Sequence, residues 1–279
     1  MDKQRKNELA RIAAQIRLDI IEEVYSAHSG HPGGSLSIAE ILSYLYFEAM
    51  RVDPQNPRWA DRDRFVLSKG HTSPALYAVL AERGFLPKED LPTFRSSSSY
   101  LQGHPDMKHT PGVDMTTGSL GLGISAACGM ALSAKYNKKD FRVYAVCGDG
   151  EMEEGQVWEA AMFAAHYKLD NLTVFVDWNG LQIDGKITDV MNPTPIDKKF
   201  EAFGWHVQLI DAQDLDQIHE AVENARKETA RPSVIVCRST KGKGVSYMEN
   251  QASWHGAAPN AEQYEQAMAE LKAALAALN

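Results

Sequence analysis

Residues 142–150, RVYAVCGDG, form an apolar run of strand length that ends in an aspartate between two glycines. A second run of this kind, LTVFVDWNG at residues 172–180, ends in Asp177, Trp178 and Asn179. Apolar, β-branched runs of this length that are bounded by glycine are typical of buried strands. With a helix predicted over 156–167 between them, the two runs form a β–α–β unit whose strands are parallel.

The alternation of strands and helices extends outward in both directions. Further strands are predicted at residues 65–67, 205–210 and 233–237. Further helices are predicted at residues 9–24, 73–84, 124–136, 215–225 and about 260–279. Another helix is predicted to follow a capping box formed by Ser37 and Glu40. The pattern predicts a three-layer α/β/α fold with a mostly parallel sheet. We expect a single domain over residues 1–279, with a core at about 10–260 and a C-terminal helix at about 260–279.

The composition excludes several classes of function. Of the 279 residues, 44% are hydrophobic and 24% charged, and the net charge of −8 provides no basic field for nucleic acid or an anionic membrane. Cys128, Cys147 and Cys237 have no metal-ligand spacing and are expected to be reduced core residues. Without an apolar leader or a long uncharged apolar run, the sequence predicts a cytoplasmic protein.

The residues that follow the strands indicate a metal site. Ligands of open parallel sheets bind beyond the carboxyl ends of the strands, where Asp149 and Asn179 are predicted to meet. A carboxylate and an amide oxygen suit Mg²⁺, and glycines beside Asp149 let the backbone approach phosphates. A strand-to-helix turn capped by Asp149 is the alternative, because aspartate and glycine are common in turns. Asn179 at the end of the next strand favours the metal site.

The combination of Gly-Asp-Gly with a downstream Asn resembles the thiamine-diphosphate enzymes, and six ordered segments resemble transketolases in particular. These segments are Ser29–Gly33 (SGHPG), Gly70-His71 within SKGHTSPALYA, Gly103–Pro105 (GHP), Thr116–Gly121 (TTGSLG), Gly150–Gly155 (GEMEEG) and His255-Gly256. The resemblance covers about residues 10–260. It departs from the family at Ser119, where many members have proline, and at Lys241, where some have an apolar residue.

The resemblance implies a role for each matching residue. The metal, Mg²⁺ with Ca²⁺ or Mn²⁺ as possible substitutes, would be held by the side chains of Asp149 and Asn179 and the carbonyl of Leu181. Thiamine diphosphate would contact His71, Gly118, Ser119, Leu120, Gly150, Glu154, Asn179, Ile183 and Lys241. The catalytic residues implied are His31, His71, His104, His255 and Glu154, the last of which would face a partner across the cofactor. Imidazole suits proton transfer near neutral pH.

Two sets of these residues also have an interpretation that involves no function. Glu151, Glu153 and Glu154 begin a predicted helix, where solvated acids that complement the helix dipole are the default expectation. Lys241 and Lys243 could neutralise diphosphate or a sugar phosphate, and a solvated loop is nearly as good an interpretation. For His31, His71 and His104, neighbouring glycine or proline residues indicate loops and favour function over a structural role.

The family resemblance also implies a partner, because full-length transketolases continue into a domain that binds the pyrimidine end of the cofactor. We expect an N-terminal transketolase subunit that moves a two-carbon ketol unit between sugar phosphates together with a separate C-terminal subunit, two copies of each. Another thiamine-diphosphate reaction, such as deoxyxylulose-phosphate synthesis or 2-oxo-acid decarboxylation, is one alternative. A non-catalytic cofactor-binding module is another. The identity of the sugars stays open, and sulfonated or branched sugars are among the possibilities.

Overall fold

The computed structural model describes residues 1–278 and contains a five-stranded parallel sheet. Within residues 1–278 the strands of this sheet and of a separate hairpin are, in chain order, β1 (Arg64–Leu67), β2 (Val143–Gly148), β3 (Leu172–Trp178), β4 (Leu181–Gln182), β5 (Gly185–Lys186), β6 (His206–Asp211) and β7 (Ser233–Arg238). The sheet has the order β1-β2-β3-β7-β6, whereas β4 and β5 form a short antiparallel hairpin. All five strands predicted from the sequence are confirmed, with bounds that differ by one or two residues.

Ten α-helices surround the sheet in the part of the chain that the structure describes. They are α1 (Lys3–Ser26), α2 (Pro32–Leu36), α3 (Ala39–Tyr44), α4 (Ser73–Arg83), α5 (Leu122–Tyr136), α6 (Gly155–His166), α7 (Ile187–Val190), α8 (Ile196–Ala202), α9 (Leu215–Lys227) and α10 (Ala261–Ala276). Within residues 1–278, none of these helices combines the length and the apolar character needed to cross a membrane.

The side chains of the central strands alternate between two separate cores. Phe65 and Tyr144 point into the core on the side of the sheet that α1, α3, α4 and α9 cover. Val66 and Ala145 point the other way, into the core beneath α5, α6 and α8. Because both faces of the sheet are covered, the inner strands β2, β3 and β7 are largely apolar, whereas the edge strand β6 is partly exposed and more polar. The three-layer α/β/α architecture predicted from the sequence is confirmed.

The register of the strands determines which loops meet above the sheet. Gly148 at the end of β2 is paired with Asp177 in β3, and Asp177 is paired with Cys237 in β7. β1 lies on the other side of β2. The segments that follow β1, β2, β3 and β7 therefore leave the sheet side by side at one edge, where the sequence predicts the site.

The helix boundaries also follow local sequence signals. α4 has Pro74 in its first turn and ends at Gly84, whose φ of +92° lies in the left-handed region that glycine accepts without strain. The predicted C-terminal helix is present as α10, and it packs on α1 through the stacked rings of Tyr264 and Tyr25, 4.0 Å apart. Residue 279, which the predicted domain and helix included, lies outside the described residues.

The capping box predicted at Ser37 is wrong. The helix behind it begins only at Ala39, and the side chain of Ile38, its N-terminal neighbour, makes no cap. The Ser37 hydroxyl instead donates to the carboxylate of Asp177 at 2.7 Å. Glu40 forms an ion pair with Arg17 at 2.6 Å. A hydrogen bond donated to a buried carboxylate is charge-assisted and stronger than one accepted from a helix amide, so tertiary contacts take both side chains.

Candidate cofactor site

A cavity of about 250 Å³ opens at the carboxyl ends of β1, β2, β3 and β7. Most of the residues that the sequence predicts for the site line it: His31, His71, Gly118, Leu120, Asp149, Gly150, Asn179, Leu181, Ile183, Lys241 and His255. They come from segments far apart in the chain, and the parallel sheet brings them together. The cavity is thus located where open α/β sheets bind their ligands.

Three of the predicted site residues lie outside this cavity. His104 and Ser119 line a neighbouring depression. Gly118 borders both spaces, and a Cβ atom at Gly118 would lie 3.2 Å from the His104 ring. Glu154 is exposed at the start of α6, on the outside of the site. Of these three, His104 acts on a histidine of the cavity, since burial, then the charge of Arg95 and then that of His104 lower the pKa of His31.

Asp149 is held at the tip of β2 by backbone donors. Its two carboxylate oxygens accept hydrogen bonds from the amides of Gly150, at 2.8 Å, and Gly180, at 2.6 Å. The side chain is buried, and burial together with the nearby charge of Asp177 raises the pKa of Asp149 to about 7. A bound cation would relieve this unfavourable environment, since it stabilises the ionised carboxylate.

The other two predicted ligands present oxygens of the same chemical kind. Asn179 Oδ1 accepts a hydrogen bond from the amide of Leu181 at 3.1 Å. The Leu181 carbonyl in turn accepts from the ammonium of Lys241 at 3.0 Å, so this oxygen already faces a positive charge. Carboxylate, amide and carbonyl oxygens form the hard donor set that Mg²⁺ prefers. The residues present therefore fit a divalent cation.

The protein alone does not complete such a site. Among the described residues, no group of three histidine, cysteine, aspartate or glutamate side chains is arranged to hold a metal ion. Asp149 is the single carboxylate in the predicted set. The remaining ligands of a six-coordinate cation would have to come from a bound diphosphate and water.

Three histidine rings pack together on the wall of the cavity. The ring centroids of His31 and His71 are 5.1 Å apart, those of His31 and His255 5.4 Å, and those of His71 and His255 5.1 Å. Burial, reinforced by neighbouring positive charges, lowers the pKa of His31 to about 4 and that of His255 to about 3. The pKa of His71 also lies well below its usual value, chiefly because of burial. All three rings are therefore neutral at pH 7, when each can donate one hydrogen bond and accept another.

Lys241 is buried, which excludes the solvated loop that the sequence left open as an alternative. Only 2% of the residue is exposed, and its ammonium bridges the Leu181 carbonyl and Nδ1 of His255, each at 3.0 Å. Burial lowers the pKa of Lys241 to about 8. A buried ammonium among oxygen ligands provides a positive charge for an anionic group in the cavity. Lys243, by contrast, is at the surface and pairs with Glu249.

The expectation that Glu151 is a solvated acid is wrong. Its carboxylate is buried and accepts hydrogen bonds from the Ser68 hydroxyl and from the amides of Gly121 and Gly148. It thus joins the segments after β1 and β2 to the loop that carries Gly118 and Leu120. The helix dipole acts only within the element to which Glu151 belongs, whereas the donors to its carboxylate come from other segments, so this role was not predicted. The neighbouring glycines, whose amides are unhindered donors, are the signal that could have revealed it.

A buried ion pair between Lys69 and Asp177 was also missed by sequence reasoning. The two charged atoms are 2.6 Å apart, and neither side chain is more than 2% exposed. Each residue follows or ends a strand that leads into the site. A lysine and an aspartate at strand ends were the available signal, but the sequence does not show that both are buried.

The comparison with known protein families agrees with this geometry. Residues 9–275 match the family model described as the thiamine diphosphate binding domain of transketolase. A 6-deoxy-6-sulfo-D-fructose transketolase subunit, SqwG, of Clostridium sp. (strain MSTE9) is 47% identical over 265 residues, which are 95% of this chain and 96% of the relative. An apulose-4-phosphate transketolase subunit from Phocaeicola vulgatus is 43% identical over 91% of this chain and 90% of the relative.

Longer transketolases are similar over only part of their length. Human transketolase is 43% identical over a region that covers 91% of this chain but only 40% of the human protein. The crystal structure of transketolase from Campylobacter jejuni superimposes with a TM-score of 0.89 at 34% identity, covering 100% of this chain and 46% of that one. The chain thus spans less than half the length of these transketolases.

The fold and the residues of the cavity define a thiamine-diphosphate-binding domain. The chain belongs to the transketolase family, and it corresponds to the part of these enzymes that carries this domain.

Proposed function

We propose that this chain is the diphosphate-binding subunit of a transketolase, which holds thiamine diphosphate through Mg²⁺ and works with a separate C-terminal subunit. The reaction is the transfer of a two-carbon ketol unit from a ketose to an aldose, with sugar phosphates as the expected substrates. One observation carries the proposal. Asp149, Asn179, Leu181 and a cluster of neutral histidines line a single cavity at the carboxyl edge of the sheet.

The oxygen ligands would hold the metal and, through it, the diphosphate. Asp149, Asn179 and the Leu181 carbonyl form the protein side of the metal site, with Gly150 leaving room for phosphate oxygens. Lys241 adds a positive charge beside Leu181. When bound, thiamine diphosphate supplies the carbon–carbon bond chemistry, and the protein supplies binding, orientation and electrostatics.

The histidines would bind sugar hydroxyls and move protons during the transfer. His31 and His71 are neutral at pH 7, so each can accept a proton from a hydroxyl at one nitrogen while it donates at the other. His255 is neutral too, but its Nδ1 accepts from Lys241, which leaves its Nε2–H to donate to a hydroxyl. Nδ1 of His31 is buried and has no hydrogen-bond partner within residues 1–278. This nitrogen is therefore an unsatisfied buried polar atom, of the kind that is rare away from functional sites. His104 would act from the adjoining depression, beyond Gly118.

The rim of the cavity supports the need for a partner chain. Ile183 is 68% exposed and Leu122 54%, so large apolar side chains lie uncovered beside the site. Exposed apolar surface next to a ligand site is typical of an interface. Glu154 lies on this outer side, where the family resemblance makes it face the partner. Two relatives that match nearly the full chain are named as subunits. We infer a two-plus-two assembly in the cytoplasm.

A sulfonated ketose is a second candidate for the donor sugar. The relative with 47% identity is named for 6-deoxy-6-sulfo-D-fructose, and another is named for apulose 4-phosphate. Both sugars carry an anionic group. The alternatives of a decarboxylating thiamine-diphosphate enzyme and of a non-catalytic module fit less well, because the transketolase-like histidines are all kept.

The test is a coupled ketol-transfer assay with the purified chain, with the product of an adjacent coding sequence of the C-terminal type, and with both. Mg²⁺ and thiamine diphosphate are present throughout, and sugar phosphates and sulfonated ketoses serve as parallel donors. Activity is expected only in the mixture, together with a larger complex by light scattering. Full activity of this chain alone would refute the split arrangement, and decarboxylation without ketol transfer would support the alternative enzyme.

A further inference from the structure

A buried charge network lies directly beneath the candidate metal ligands. Asp177, at 0% exposure, accepts hydrogen bonds from the ammonium of Lys69 at 2.6 Å and from the hydroxyls of Ser37 and Ser239. Lys69 donates as well to the carbonyl of Gly34 at 2.8 Å. Separate segments of the chain therefore fix the position of one carboxylate, which is the arrangement that makes a buried charge tolerable.

This carboxylate also determines which way the side-chain amide of Asn179 points. Asn179 Nδ2 donates to Asp177 at 3.0 Å, while Oδ1 accepts from the backbone amide of Leu181 at 3.1 Å. A carboxylate can only accept and a backbone N–H can only donate. The reversed amide would place oxygen against oxygen and N–H against N–H. The chemistry of the two neighbours thus selects one orientation.

The orientation matters because only one end of the amide can bind a cation. Oδ1 keeps a second lone pair after its bond with Leu181, whereas an NH₂ group turned toward a metal would repel it. We propose that Asp177, held by Lys69, is a positioning residue that locks the Asn179 amide with its oxygen toward the metal. This inference rests on the proposed function, in which Asn179 is a metal ligand.

The expected size of the effect follows from other metal sites. Removing a group that orients a ligand without touching the metal typically weakens metal affinity about 10- to 100-fold. Truncating Asp177 alone would leave the Lys69 ammonium buried and unpaired. Replacing both members of a buried ion pair by apolar side chains is often neutral for stability. The paired replacement Lys69→Met with Asp177→Leu therefore separates orientation from folding.

The first experiment measures the binding of Mn²⁺ to the full chain in the presence of thiamine diphosphate, by the electron paramagnetic resonance of free Mn²⁺. The paired variant should bind Mn²⁺ about 10- to 100-fold more weakly than the wild type. Asp177→Asn, which keeps an oxygen acceptor for both Lys69 and Asn179, should stay within about threefold, since the amide lock survives. Replacing the ion pair of Arg17 and Glu40, 2.6 Å apart between α1 and α3, is the control for losing a charge pair elsewhere.

A rescue variant distinguishes orientation from a direct contact between Lys69 and the cofactor. Adding Asn179→Asp to the paired variant supplies two equivalent oxygens, so no wrong orientation exists and most of the Mn²⁺ affinity should return. If Lys69 acts by touching the diphosphate, this substitution restores nothing. If thermal melting shows that the paired variant is folded and it still binds Mn²⁺ with wild-type affinity, the proposal is overturned.

A second readout is independent of the metal and of the proposed function. In protein labelled with ¹⁵N-asparagine, the side-chain amide signal of Asn179, assigned by its loss in Asn179→Asp, should be shifted by its bond to Asp177 and protected from exchange. Both properties should vanish in the paired variant. If the wild type binds no Mn²⁺, the proposed function fails, while this signal still decides whether Asp177 holds the amide. An unprotected amide in the wild type would refute the lock.

Discussion

The ammonium of Lys241 donates a hydrogen bond to Nδ1 of His255 across 3.0 Å. Because Nδ1 is occupied as an acceptor, the ring proton of the neutral imidazole resides on Nε2. Lys241 also holds the carbonyl of Leu181, a predicted metal ligand. One buried lysine thus connects the histidine cluster with the candidate metal site.

Replacing Lys241 by methionine should raise the pKa of His255. That pKa is about 3 because burial lowers it most and the charge of Lys241 lowers it further, so loss of the charge moves it toward 6.5 without reaching it. A ¹⁵N NMR titration of the ring measures the change. Lys243→Met is the matched control, since Lys243 is exposed and pairs with Glu249. An unaltered His255 titration in Lys241→Met would contradict the electrostatic coupling.

Asp149→Ala should abolish magnesium-dependent binding of thiamine diphosphate. The predicted site loses its single side-chain carboxylate, and the loss should exceed the roughly 10- to 100-fold typical of residues outside the ligand shell. Isothermal titration with thiamine diphosphate at fixed Mg²⁺ measures it. Asp189→Ala, at an exposed aspartate of α7, should bind like the wild type. Binding by Asp149→Ala within a few fold of the wild type would remove Asp149 from the metal role.

Glu151→Ala should destabilise the fold without any ligand present. The substitution leaves the amides of Gly121 and Gly148 and the Ser68 hydroxyl without their buried acceptor. Unsatisfied buried donors cost about 1–3 kcal/mol each, so we expect a loss of about 3 kcal/mol in the free energy of unfolding. Urea denaturation measures it. Glu159→Ala, at an exposed position of α6, is the control. Equal stability of the two variants would show that Glu151 has no structural role.

Two glycines of α5 should respond in opposite directions to alanine. A Cβ atom at Gly123 would lie 2.6 Å from Cα of Ser68, so Gly123→Ala must push α5 away from the segment after β1. At Gly129 the added Cβ would meet no atom within 4 Å beyond its chain neighbours and the backbone of its own helix, and alanine in a helix interior gains about 1 kcal/mol over glycine. Thermal melting should therefore show Gly129→Ala above the wild type and Gly123→Ala below it. A stable Gly123→Ala would argue against the close approach.

The sequence determined the succession of strands and helices and the segments that form the candidate site. Apolar runs that end in glycine and acidic residues revealed β2 and β3, and their parallel direction follows from the alternation with helices. The register that pairs Gly148 with Asp177 was not predicted. Parallel strands place their carboxyl ends at one edge, so the sequence alone assigns Asp149 and Asn179 to one place. These are local signals, whose physical cause lies within a few neighbouring residues.

Which polar side chains are buried depends on contacts between segments that are distant in the sequence. Glutamate and lysine are usually found on the surface, but Glu151 and Lys241 are buried because other segments fold over them. Ser37 has the spacing of a helix cap, but its hydroxyl bonds to Asp177, which is distant in sequence. Burial of a charged or polar side chain costs free energy unless hydrogen-bonding or charged partners surround it. Those partners come from segments that the local sequence does not identify.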